Sequence, residues 1–165
     1  MIGVRVGFTE RVADIVEKSA MRGFTLVELV IVLFLAGIIM LIAIPSYQNY
    51  MMQNRLNGAA RVVMSDLMHA RAQAAGHNNE FKVFFVDNHQ YRILDDDDDD
   101  GAKDSTETYI IDRNIQTNYY DATLSSNRDI VFQPNGTANG ATVTLTNPGG
   151  TKTVTVSLPG RVKIN

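Results

Sequence analysis

The chain has 165 residues, 45% hydrophobic and 20% charged, with 15 basic and 18 acidic side chains and a net charge of -3. Length over about 150 indicates one domain with enough apolar material for a core, and the composition excludes a disordered, collagenous or disulfide-rich chain. Without a basic surplus, bulk electrostatic adhesion to nucleic acid is not expected, and the absence of cysteine excludes disulfides, thiolate metal sites and cysteine nucleophiles.

Residues 1–23 carry Arg5, Arg11, Lys18 and Arg22 against Glu10, Asp14 and Glu17. Phe24 to Ile44 then reads FTLVELVIVLFLAGIIMLIAI, 21 residues with the single charge Glu28. A helix of about 20 apolar residues crosses a bilayer. Arg22 beside the run favours a cytoplasmic N-terminal side. A secretory signal fits poorly, because its small-residue cleavage site would follow a shorter apolar region. Here Gly23 precedes the run, so a cut at the obvious place leaves the hydrophobic helix on the product. Glu28 is the sharpest anomaly, since a carboxylate inside an apolar span costs roughly 2.5–3.5 kcal/mol. Either water reaches it near the interface or a cation neutralises it. Cutting after Gly23 creates such a cation, the α-amine of Phe24, which in a packed filament can meet Glu28 of a neighbouring subunit.

The segment Arg22-Gly23-Phe24-Thr25-Leu26-Val27-Glu28-Leu29 resembles the class III signal of type IV pilins and type II secretion pseudopilins. Gly37 and Pro45-Ser46-Tyr47 fit the same pattern. The resemblance implies cleavage after Gly23 by prepilin peptidase, N-methylation of Phe24, and a role for Glu28 in registering subunits. It divides the chain into a leader at 1–23, a transmembrane helix at 24–44, the remainder of that helix at 45–76, and a β-rich globular domain at 77–165. Translation from Met1 gives a 23-residue leader; a start at Met21 gives Met-Arg-Gly, and both starts stay open.

Pro45 lacks an N–H and is expected to kink or loosen the helix. Beyond it, Leu56, Ala60, Val63, Leu67, Ala70 and Ala74 recur every three or four residues, one apolar stripe of an amphipathic helix. Arg55, Arg61, Asp66 and Arg71 occupy other positions, and Gly76, followed by His77-Asn78-Asn79, is the expected stop. A helix from Phe24 to Gly76 is roughly 80 Å long. Its first half faces lipid and its second half offers one dry face to a globular domain, the lollipop architecture of the resembled family. His69, His77 and His89 have no second ligand at a metal-binding spacing and read as surface or helix-end residues.

After Gly76 the period changes to two. Strands are expected at Phe81–Val86 and Gln90–Leu94, joined at Asp87-Asn88-His89, then at Thr108–Ile115 and Asp129–Gln133. Thr142–Thr146 and Thr151–Ser157 flank Asn147-Pro148-Gly149-Gly150, a strong hairpin signal, and Arg161–Ile164 makes a short last strand. The expected fold is therefore α+β, a long N-terminal helix packed on an antiparallel sheet or sandwich. Leu67–Ala75, the turn from Phe132 to Gly136, and the closing pair Gly160-Arg161 resemble the H-type minor pseudopilins and the related FimT minor pilins. Residues 94–128 match that pattern least. The missing cysteines argue against a major pilin with a C-terminal disulfide loop.

Asp95 to Asp100 is a run of six aspartates followed by Gly101. It reads as a solvated loop of repelling charges, or as a calcium site. Asp96, Asp98, Asp100, Gly101, Asp104 and Glu107 fit the twelve-residue calcium-loop pattern, in which alternate carboxylates converge and a distant glutamate closes the shell. Lys103 at the eighth place and strand-like flanks argue against an EF-hand. Arg161 and Lys163 alternate along the last strand. They read as a charged edge that discourages aggregation, or as phosphate contacts to DNA, a partner that the resemblance to FimT-type subunits suggests. Two contacts supply little affinity, and the chain after Gly23 has 11 basic against 15 acidic residues, so nucleic acid is not the expected partner.

No nucleophile–base pair, phosphate loop, cofactor motif or histidine-rich metal site is present, and no enzyme is expected. The resemblance implies a structural minor pseudopilin of type II secretion, single-pass in the bacterial inner membrane with its globular domain in the periplasm. Its partners would be other major and minor pseudopilins, prepilin peptidase and the inner-membrane assembly platform. The alternative is a FimT-like type IV minor pilin that primes pilus assembly or aids DNA uptake. A third reading is a membrane-anchored calcium-binding module that never assembles.

Overall fold

The structure is a computed structural model and describes residues 23–97, 103 and 107–165. The chain divides into two compact units, residues 1–45 and 46–165. The leader, apart from Gly23, lies outside the described residues.

One helix, α1, runs from Leu26 to His77, 52 residues with Pro45 inside it. It starts at Leu26 because Thr25 caps it: the Thr25 hydroxyl oxygen accepts from the Glu28 amide at 3.2 Å. Its end corrects the expected stop. Gly76 is still helical, and the chain turns at Asn78, whose φ of 58° is left-handed. The Asn79 amide donates to the Ala74 carbonyl at 3.2 Å, which satisfies a terminal carbonyl in the manner of a Schellman cap. Asparagine tolerates this conformation because its short side chain can bond locally.

In the unit from Ser46 onward, the stripe behaves as its spacing demands. Leu56, Ala60, Val63, Leu67, Ala70 and Ala74 are all buried, with Ala59 beside them. They pack on two antiparallel four-stranded sheets. The first has the order β3-β2-β1-β5, from β1 (Glu80–Phe85), β2 (Gln90–Asp96), β3 (Thr108–Asn114) and β5 (Ile130–Phe132). The second has the order β4-β6-β7-β8, from β4 (Thr123–Ser126), β6 (Ala141–Asn147), β7 (Gly150–Val156) and β8 (Val162–Ile164). Phe81, Tyr91 and Phe132 are the largest fully buried side chains, and alternate residues of β6, Val143 and Leu145, complete one core with the helix stripe.

Each turn follows from its residues. In the β1–β2 turn the Asp87 carboxylate accepts from the His89 and Gln90 amides at 2.6 and 2.7 Å. The β6–β7 register pairs Asn147 with Gly150, leaving Pro148-Gly149 as a two-residue loop. That loop lies against α1: the Asn147 side-chain amide donates to the Met52 carbonyl at 2.8 Å, and a Cβ on Gly149 would come within 2.8 Å of the Met52 Cβ. Gly58 allows the same closeness on the other side, since a Cβ there would meet the Tyr119 ring at 2.6 Å. Two elements are additions to the expected set, β4 and a single 3₁₀ turn at Ile115–Thr117 capped by Asn114.

Candidate functional site

The candidate site has two parts, one in each unit. In the first, Gly23 and Phe24 are exposed just before the cap, and Glu28 sits exposed in the first turn of α1. Thr25 and Glu28 have the Thr-x-x-Glu spacing of a capping box, a signal present in the sequence and unused by the expectation. From Leu26 to Ile44 the large apolar side chains stand exposed, among them Phe34, Leu41 and Ile42. By length and composition this helix can cross a membrane. The result is a greasy rod bearing one carboxylate near its positively polarised end.

The second part is a polar seam between α1 and the sheets. Arg55 forms a two-pronged pair with Asp121 at 3.0 and 2.8 Å, and its guanidinium stacks 4.7 Å over the Tyr120 ring. The Arg55 hydrogen bonds hold the Asp121 carboxyl below its ordinary range. Asp66 is buried; it accepts from the Tyr91 hydroxyl at 2.7 Å and from Arg113 at 2.9 and 3.1 Å. Burial pushes the Tyr91 phenol up strongly, and its bond to Asp66 pushes it further. Arg71 donates to the Gly136 carbonyl at 2.9 Å and to the Pro159 carbonyl at 3.3 Å. Gly136 and Gly160 both have left-handed φ, 79° and 74°, and a Cβ on Gly160 would fall 2.0 Å from the Gly136 carbonyl oxygen. Arg71, Gly136 and Gly160 therefore make a three-way clasp in which only glycine fits at 160. Three of the four charged helix residues that the pattern set apart from the stripe thus face the sheets.

The expected calcium ligands lie only in part among the described residues. Asp96 closes β2 and Glu107 precedes β3, both buried, and Glu107 accepts from the Asp97 amide at 3.0 Å. Asn79 bridges Asp95 and Asp97 at 2.8 and 2.7 Å. Asp98, Asp100 and Asp104 lie outside the described residues. Among the described residues no group of three or more acidic or histidine side chains is arranged to hold a metal. His69 is exposed beside Gln73, and His77 is exposed 3.6 Å from Asp95. Arg161 and Lys163 are both exposed, Lys163 within β8 and Arg161 just before it.

Residues 59–160 match the family model described as type II transport protein GspH. The chain belongs to the GspH family. The matched span contains Asp66, Arg71, Gly136 and Gly160, so both the buried carboxylate and the clasp lie inside the GspH domain. Residues 18–44 match the prokaryotic N-terminal methylation motif, which covers Gly23, Phe24 and Glu28. The type IV major fimbrial protein FimA of Dichelobacter nodosus is 50% identical over 40 residues, 24% of this chain and 26% of its own. The fimbrial protein EcpC of Eikenella corrodens is 43% identical over 42 residues, 26% of this chain and 28% of its own. The alignments thus span about a quarter of these curated relatives. Among solved structures, the type IV minor pilin FimU of Pseudomonas aeruginosa shares the fold of the GspH-family chain. Its TM-score is 0.54 at 16% identity, covering 70% of this chain and 92% of that one. The minor pseudopilin EpsH of Vibrio cholerae gives a TM-score of 0.53 at 14% identity, covering 67% and 96%. At these identities the likeness establishes a pilin-like fold.

Proposed function

We propose that the chain is a minor pseudopilin of type II secretion, built into a periplasmic filament that moves folded proteins across the outer membrane. The observation that carries this is the union in one chain of an N-terminal methylation motif at 18–44 with a GspH domain at 59–160. In this reading prepilin peptidase cuts after Gly23, Phe24 is methylated, and the exposed apolar length of α1 bundles with the helices of other pilin-like subunits. Glu28 then has a defined task. In a dry bundle an unpaired carboxylate is costly, so a subunit is driven to the axial position where a neighbour's α-amine meets it. The globular unit stays in the periplasm and presents the surface that selects neighbours.

A second reading, a type IV minor pilin, is favoured by the local identity to the fimbrial proteins FimA and EcpC. Deleting the gene and comparing exported proteins with those of a complemented strain separates the two. Folded enzymes retained in the periplasm support the secretion filament. An unchanged export profile with lost surface pili transfers the chain to the pilus. Intact mass measurement of the membrane-extracted protein tests processing separately, and residues 1–23 still attached would refute it.

A further inference from the structure

β8 is the outermost strand of its sheet, beyond β7. Its partners are Val154 with Ile164, Thr155 with Lys163, and Val156 with Val162. The bonded pairs include Asn165 with Thr153, at 2.8 and 3.3 Å, and the Ser157 amide with the Arg161 carbonyl at 3.0 Å. Bonded and non-bonded pairs alternate in an antiparallel ladder. The N–H and C=O groups of Val162 and Ile164 therefore point away from β7, toward the open edge. Their side chains pack half-buried on the core, while Lys163 alternates to the other face and Arg161, exposed just before β8, lines the neighbouring groove.

Beside this edge lies a groove of about 550 Å³ lined by Met68, Arg71, Ala72 and Ala75 of α1 together with Arg161 and Val162. Apart from Arg71 its helical wall is apolar, and Met68 is 52% exposed. The Arg71 clasp fixes the end of the groove, so the cavity exists before anything enters it. A strand added to an open edge places alternate side chains on its two faces. Those on the core face enter the groove over Met68 and Ala72. Those on the outer face stand beside Lys163, at cross-strand distance, and Arg161 at the groove offers a second cation to an acidic side chain.

We propose that the β8 edge and this groove dock an extended segment of another subunit in which apolar and acidic side chains alternate. This is a second contact, independent of the helix bundle and specific for partner identity. A duplex of DNA fits the site less well, because most of its helical wall is apolar and, among the described residues, Arg161 and Lys163 are the exposed cations there. A phosphate backbone needs a longer row of cations.

The test uses the full chain in detergent micelles and a labelled, capped heptapeptide alternating valine and glutamate. Lysine–valine and serine–valine peptides and a short DNA duplex serve as competitors. Saturable binding of the glutamate peptide is expected, with slowed amide exchange at Val162 and Ile164. The doubly reversed variant Arg161→Glu with Lys163→Glu should weaken it by about tenfold or more. Both positions are exposed, and an unchanged melting curve establishes that the variant is folded. Failure to saturate, equal affinity for the serine–valine peptide, or unprotected Val162 and Ile164 amides would overturn the proposal. Displacement by the duplex would overturn it too, in favour of a phosphate-binding surface. Loss of methylation or of secretion leaves this binding unaffected, so it fails independently of the filament assignment.

Discussion

Along α1 the apolar side chains before Pro45 and those after Leu56 have opposite fates. Leu33, Phe34, Leu41 and Ile42 are exposed, whereas Val63, Leu67 and Ala70 are completely buried. The second group meets its partners within the same chain and makes a fold. The first group stands exposed among the described residues, a surface suited to lipid or to other chains. The same kind of residue thus serves stability in one unit and association in the other, and charge follows the same division. Asp66 is matched internally by Tyr91 and Arg113, while Glu28 stands exposed at the helix start.

If the division is sound, changes after Ser46 move the melting curve and changes before it move only assembly. The largest stability loss is expected for Gly160→Ala, where the added Cβ meets the Gly136 carbonyl and φ is left-handed. About 3 kcal/mol or more is expected in a denaturant melt; a loss under about 1 kcal/mol would mean that the clasp yields easily. Asp66→Ala comes next, at about 2–4 kcal/mol, because it strands the Tyr91 hydroxyl in the core and removes the Arg113 partner.

Alkaline pH probes the same pair. The Tyr91 phenol is raised in the folded state, so its protonated form is favoured by folding. Its stabilisation is complete below the ordinary tyrosine value near 10 and is lost as pH rises above it. Tyr91→Phe is expected to be less stable at neutral pH and to show a flatter decline above pH ~10. A decline equal to that of the parent would place the alkaline transition elsewhere.

A smaller effect is expected from calcium, if the aspartate loop binds it. At about tenfold excess over its Kd it is expected to add about 1.4 kcal/mol, read as a rise in Tm that Glu107→Gln reduces. No rise leaves a solvated loop closed by the Asp97–Glu107 hydrogen bond. Glu28→Ala is expected to leave the melting curve of the globular unit unchanged. It keeps the amide that donates to Thr25, yet it should abolish incorporation into filaments, measured by shearing and immunoblot. Normal incorporation would refute the registering role.

The sequence made the helix stripe legible residue by residue, because six buried positions repeat at helical spacing. It also showed the β6–β7 hairpin, through Pro148 and Gly149. It did not reveal Asp66, Arg71 or Arg55 as facing inward. A binary pattern assigns charge to solvent, and the partners that neutralise these groups lie 25 to 88 residues away. β4 escaped for a different reason: Thr123-Leu124-Ser125-Ser126 has one apolar residue, and Leu124 alone is buried. Glycine at 76 was the stronger stop signal on propensity, but Asn78 performs the turn. The closing glycine at 160 was visible as part of a family pattern, while its cause, the crossing over Gly136 under Arg71, is a long-range fact.

That crossing also sets an order of events. Arg71 bonds to carbonyls 65 and 88 residues farther along the chain, so neither bond can form until the chain has been synthesised through Gly136 and Pro159 respectively. Contacts this distant in sequence carry a large loop-closure cost and form late. A chain that ended before Pro159 would lack one of the two Arg71 bonds and the glycine that crosses Gly136, leaving the clasp incomplete.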